Sequence, residues 1–258
     1  MRTVLCMVPM CLTFTAMLLG AIAIHLSYVS DNAAAAVVLL VVAGCFDAID
    51  GKVANKLNAE SRMGEQLDSL SDMLNFALAP SLIIFNSYFQ DNLVVLGGMA
   101  SSFFLMCGGY RLARFNVTRE KSIASGFFIG IPTPAGAFLA LLPIVLDIGY
   151  MSGSMLTSYL VQYCIAGWMF IIGILMVSRF KTLSSSMLMA LTSSPKGILL
   201  GSVFLLSFIV CAAVEFWATY VVITSVYIIS LIVGIIACRF RKATDSSSSG
   251  EYDHYNIV

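Results

Sequence analysis

Four aspartates carry the chemistry that can be read most directly from this chain: Asp47, Asp50, Asp68 and Asp72. They form two pairs, the first three residues apart and the second four apart, with a short polar stretch between them. On a helix those spacings each put two side chains on one face. If the two helices form a hairpin, the pairs face each other across the turn. Unit charges roughly 5 Å apart repel by about 3 kcal/mol per pair at an effective dielectric near 20. Four carboxylates converging in a poorly solvated place therefore need a cation. Oxygen donors of this kind select a hard divalent ion: Mg²⁺ or Mn²⁺, with Ca²⁺ as an alternative.

The elements that must hold these residues are membrane helices. Of the 258 residues 59% are apolar and 11% are charged, whereas a soluble domain carries about 25% charged residues. Apolar runs near 3–27, 33–57, 68–89, 93–115, 131–149, 157–178, 197–213 and 216–238 are each close to the roughly 20 residues a bilayer span requires. The expected fold class is all-α, a polytopic membrane helical bundle of about eight transmembrane helices. Residues 1–243 are expected to form one membrane domain and 244–258, a Ser-rich low-complexity stretch, a disordered tail. The first run is too long for a signal-peptide core and is read as a retained helix.

Net charge is zero, but its distribution is informative. Every Lys and Arg falls before the first run, after the last, or in alternate links: Lys52, Lys56 and Arg62; Arg111, Arg114, Arg119 and Lys121; Arg179, Lys181 and Lys196. The other links hold Asp31, Asp91, Asp147 and Glu215 and no basic residue. The positive-inside rule then puts both termini and the four aspartates in the cytoplasm. The seven cysteines are scattered through apolar runs with no metal-ligand spacing and read as small hydrophobes. No nucleic-acid-binding pattern is present.

The full pattern around the aspartates is Asp47, Asp50-Gly51, Ala54-Asn55, Gly64, Asp68 and Asp72. It resembles the signature of the CDP-alcohol phosphatidyltransferase family, with one departure: Asn55 stands where the family has Arg. Either Lys52 or Lys56 replaces that cation, or the nucleotide is held less tightly. Helix capping alone would explain aspartates in a link, but not Gly51, Ala54 and Gly64 at matching intervals. Pro9, Thr13 and Gly20 also resemble the family's first helix.

The resemblance implies a site. Asp47, Asp50, Asp68 and Asp72 would be the metal ligands. Asp47, Asp50, Gly51, Ala54, Asn55, Gly64 and Asp68 would bind the nucleotide, and Asp72 would be the catalytic base. Asn75, one turn past Asp72, is placed to bond within the site. Further along, Arg111-Leu112-Ala113-Arg114-Phe115-Asn116 and Gly130-Ile131-Pro132-Thr133-Pro134 resemble segments of the family's bacterial serine-accepting branch. Two guanidinium groups one helical turn apart can hold a carboxylate, so Arg111, Arg114 and Thr133 are assigned to the acceptor. The plainer reading of the arginines is an anchor to anionic headgroups.

The implied reaction moves a phosphatidyl group from CDP-diacylglycerol to L-serine, releasing CMP. Glycerol 3-phosphate, inositol phosphate and choline are alternative acceptors within the family. A cation transporter is the alternative from another class; it would want carboxylates near the bilayer midplane. The implied partners are CDP-diacylglycerol, L-serine and membrane lipid, with a homodimer left open. The implied location is a bacterial inner membrane.

Overall fold

In a computed structural model, residues 2–57, 59, 61–90, 93–125, 128–129, 131–151, 158–178, 181–182 and 215–249 are described. The expected span 197–213 and the end of the tail, 250–258, lie outside them. The chain divides into two compact units, one of Met1–Thr118 with Ile131–Val177, the other of Arg119–Gly130 with Ser178–Val258.

The first unit is a helical bundle. Helix α1 (Arg2–Val29) turns through a three-residue link into α2 (Ala33–Lys56). Asp31 takes a left-handed conformation in that link, φ 47°, which Asp tolerates better than most residues. Asn32 then caps α2, its Oδ1 accepting the Ala35 N–H at 2.9 Å. Helix α3 (Arg62–Met73) begins the same way, with Ser61 Oγ accepting the Gly64 N–H at 3.0 Å. It runs without a break through a π-helical turn, Leu74–Leu78, into α4 (Ala79–Phe89). Pro80 cannot donate to the Phe76 carbonyl, and its ring crowds that group; the wider turn immediately before it takes up the misfit.

Helix α5 (Val94–Ser125) follows, then α6 (Thr133–Leu146), which enters through Pro132 and has Pro134 in its first turn. A second π-helical turn, Asp147–Met151, extends α6, and α7 (Tyr159–Val177) closes the unit. Inside α6, Pro143 offers no N–H to the Leu139 carbonyl. Trp168 of α7 supplies the missing donor, its Nε1 lying 2.8 Å from that oxygen. In the second unit, β1 (Phe128–Ile129) pairs antiparallel with β2 (Lys181–Thr182), and α8 (Phe216–Ser249) is the main element. It is helical past Thr244, where the sequence reading begins the tail.

Among the described residues five stretches are long and apolar enough to cross a membrane: Met7–Val29, Ala33–Lys56, Arg62–Phe89, Thr133–Met151 and Tyr159–Val177. A shorter apolar stretch covers Phe216–Ile232. The expected fourth span is not among the five: α5 carries Gly97-Gly98, Ser101-Ser102 and Gly108-Gly109 and then Arg111, all of which lower its hydropathy. Those small residues serve packing. A Cβ on Gly108 would lie 2.7 Å from that of Ala77, and one on Gly173 would lie 3.0 Å from the Phe103 ring, so backbones approach closely, as small residues allow in membranes. The protein is a multi-spanning integral membrane protein. Phe14, Leu18, Val38, Val95 and Ile171 are exposed on the bundle's outside, as lipid-facing residues should be.

Candidate active site

The last turns of α2 carry Asp47 and Asp50, and the middle of α3 carries Asp68. Because the two helices are joined by a short link, they fold back on each other and bring carboxylate oxygens of these three residues within 4.8 Å of one another. Asp50 is buried; Asp47 and Asp68 are half-buried. The Oδ1 atom of Asp47 is buried with no hydrogen-bond partner. An orphaned carboxylate oxygen costs a desolvation penalty unless something fills its valence. Hard oxygen donors at this separation, one of them unfilled, fit a divalent cation, so the trio could hold one.

Asp72 lies one turn further along α3 and is not in that close trio. Its carboxyl is in hydrogen-bonding contact with that of Asp47, and it faces the Arg111 guanidinium. Two carboxyls in contact require a proton or a cation between them. Asp72 thus stands between the acidic group and a buried arginine.

Helix α1 supplies the wall behind. Thr13 Oγ1 lies 2.6 Å from Asp50 Oδ2 and 3.1 Å from the Pro9 carbonyl. Donation to the carboxylate fixes the rotamer of Asp50, which is 3% exposed. Gly20, two turns on, makes room for Asn75: a Cβ there would collide with Asn75 Oδ1. Asn75 donates to Ser71 Oγ at 3.2 Å rather than to Asp72. The sequence pattern named Pro9, Thr13 and Gly20 without giving them a task. The signal for Thr13 was a hydroxyl one turn past Pro9 in a mostly apolar helix, although Thr15 carries one too.

The remaining motif residues line the open side. Gly51 and Asn55 are exposed, Ala54 and Gly64 half-buried. A Cβ on Gly51 would meet nothing within 4 Å, so that face of α2 is clear of protein. Gly64 has a local role as well, its N–H completing the Ser61 cap. Lys52 and Lys56 are exposed beside Asn55.

The two arginines of α5 part company. Arg111 is buried and its Nη1 donates to the Oγ1 of Thr133, itself fully buried at the start of α6. Arg114 is half-buried, and its Nη1 donates to the Val177 carbonyl at 2.9 Å, at the C-terminal end of α7. A cation there also complements the helix dipole. Asn116 ties the same stretch of α5 to α3 through Ser69 Oγ at 3.0 Å. The structure therefore brings Asp47, Asp50, Asp68, Asp72, Arg111 and Thr133 into one connected set, with Arg114 linking α5 to α7.

Comparison with known proteins bears on these residues. The chain is 37% identical over 136 residues to the CDP-diacylglycerol–serine O-phosphatidyltransferase of Methanocaldococcus jannaschii, covering 53% of this chain and 57% of that one. It is 37% identical over 145 residues to the Helicobacter pylori J99 protein of the same name, covering 55% and 58%. With the Saccharomyces cerevisiae protein of that name it shares 45% identity over 103 residues, 38% of this chain and 36% of that one. The chain thus spans at most somewhat over half the length of these relatives. Residues 6–177 match the family model for CDP-alcohol phosphatidyltransferase, a stretch that takes in Thr13, every aspartate of the motif and both arginines; the chain belongs to that family.

Proposed function

We propose that the protein transfers the phosphatidyl group of CDP-diacylglycerol to the hydroxyl of L-serine, with release of CMP. The observation that carries this reading is the gathering of Asp47, Asp50 and Asp68 oxygens within 4.8 Å, with Asp72 set between them and Arg111. A bound Mg²⁺ or Mn²⁺ would neutralise charge on the pyrophosphate and make CMP a better leaving group. Asp47, Asp50 and Asp68 would hold that ion, with Thr13 fixing the orientation of Asp50. The clear face at Gly51, with Ala54, Asn55 and Gly64, receives the nucleotide.

Asp72 takes the proton of the serine hydroxyl. The freed oxygen forms its bond to the phosphorus that carries diacylglycerol, and the bond from that phosphorus to the bridging oxygen of CMP breaks. Arg111, oriented by Thr133, holds the serine carboxylate, while Arg114 fixes α5 against α7. Serine as acceptor is supported by the names of the relatives and by an arginine facing the proposed base. One substrate is a lipid and the other is water-soluble, so the site belongs at the membrane boundary. The distribution of Lys and Arg supports eight spans with that boundary on the cytoplasmic side.

The test is a comparison of acceptors. Purified protein with CDP-diacylglycerol and Mg²⁺ or Mn²⁺ should incorporate radiolabelled serine into lipid, and do so in preference to glycerol 3-phosphate, inositol phosphate or choline. Preference for another acceptor would move the chain to a different branch of the family. CMP release surviving full chelation would remove the metal from the reading.

A further inference from the structure

The amide of Asn116 has one group in use and one to spare. Ser69 Oγ donates to the Glu65 carbonyl, one turn back on α3, at 3.0 Å. A backbone carbonyl only accepts, so the single proton of that hydroxyl is committed and its oxygen is left to accept. Asn116 therefore meets it with its NH₂ group, Nδ2 donating at 3.0 Å. That bond settles which way the amide is turned. Its Oδ1 is an acceptor on an exposed side chain, and among the described residues nothing donates to it.

Two contacts between α5 and α3 place that acceptor beside the reacting groups. Arg111 faces Asp72, and Asn116 bonds Ser69. Ser69 and Asp72 are three residues apart, about 4.5 Å along α3 and roughly 60° around it. Both α5 side chains thus come down on one strip of α3, which also carries Asp68 next to Ser69. The strip has a closed end and an open one. Arg111 is buried, whereas Asn116 is in reach of water.

Free L-serine is a zwitterion whose carboxylate, ammonium and hydroxyl stem from neighbouring carbons. On the proposed function, Arg111 takes the carboxylate and Asp72 the hydroxyl proton, which leaves the ammonium to be placed. We propose, on that reading of the site, that Asn116 determines specificity for the acceptor's amine, its Oδ1 accepting a hydrogen bond from the serine ammonium. An ammonium only donates, so it needs an acceptor on the strip. Asp68 is committed to the ion and Asp72 to the hydroxyl, and a neutral amide serves the ammonium without drawing on either. Serine then enters with its carboxylate towards the buried arginine and its amine towards water. Glycerol 3-phosphate and inositol phosphate bring no amine to this position, and the quaternary nitrogen of choline has no N–H to donate.

The probe is 3-hydroxypropionate, which is serine without its amine. With the full chain, CDP-diacylglycerol and Mg²⁺ or Mn²⁺, two constants are measured: the KM for serine and the inhibition constant of 3-hydroxypropionate against it. Asn116→Ala removes acceptor and donor together, whereas Asn116→Asp keeps an acceptor and loses the donor to Ser69. Asn116→Ala should raise the serine KM about tenfold or more, the loss of one charge-assisted bond, and leave the inhibition constant unchanged. Asn116→Asp should keep the serine KM close to that of the wild type. If Asn116 only ties α5 to α3, the two variants lose serine alike, or both constants move together. Either result overturns the proposal, as does an unchanged serine KM in Asn116→Ala. Wild-type protein that incorporates no serine overturns the proposed function and this inference with it. Wild-type serine use combined with any of the three earlier results removes the inference alone.

Discussion

At the scale of single residues, Thr13 is where the site's geometry can be tested without touching a carboxylate. Its hydroxyl lies 2.6 Å from a buried Asp50 oxygen. Thr13→Val keeps the shape and removes the donor, a bond to a charged group worth about 1.5–3 kcal/mol. The Mg²⁺ or Mn²⁺ concentration for half-maximal CMP release should rise roughly 10-fold or more, and Thr13→Ser should restore it. The arginines give a second contrast. Arg111→Ala should raise the serine KM about 10- to 150-fold, the equivalent of one lost charge-assisted bond, with the KM for CDP-diacylglycerol little changed. Arg114→Ala removes the donor to Val177 and should mainly lower the thermal unfolding midpoint in detergent. Equal effects of both substitutions on serine would return the pair to a single role. The aspartates were legible because four charges in an apolar chain have few explanations. The division of labour between Arg111 and Arg114 was not, since their spacing puts both on one face while their partners lie on α6 and α7, far off in sequence.

At the scale of elements, the two proline-containing stretches show what periodicity cannot supply. A π-helical turn adds one residue to a turn and leaves composition unchanged, so Leu74–Leu78 and Asp147–Met151 read simply as apolar helix. Pro80 and Pro143 were the visible signs, but their consequences depend on neighbours: a widened turn in one case, a tryptophan on another helix in the other. Trp168→Phe keeps the ring and loses the donor, leaving the buried Leu139 carbonyl unfilled at a cost of about 1–3 kcal/mol. A lower unfolding midpoint with unchanged acceptor preference is the expected result; full stability would mean that the carbonyl finds another donor. The helical hairpin of α2 and α3 was readable because the polar link is short and both flanks are apolar. Helix α5 falls outside the five most apolar stretches because its Gly and Ser pairs, which let neighbouring backbones approach, carry little hydropathy.

At the scale of the whole molecule, the alternation of basic and acidic links makes a statement about sidedness that the helices alone do not. Cysteine substituted for Gln90, which is exposed beyond α4, should react with an impermeant reagent added to intact cells. Cysteine substituted for exposed Arg62 should react only after the membrane is opened. The reverse pattern would invert the topology. The bond from Thr13 to Asp50 has a further consequence, which concerns the order in which the chain is made. Helices α1 and α2 emerge from the ribosome before α3 and pack along their length, so two of the motif's carboxylates enter the bilayer boundary with one hydroxyl to steady them. Asp68 and Asp72 arrive only with α3. Until then the nascent chain holds only two of the three clustered carboxylates, and a cation bridging all three could draw these helices together only once α3 has been inserted.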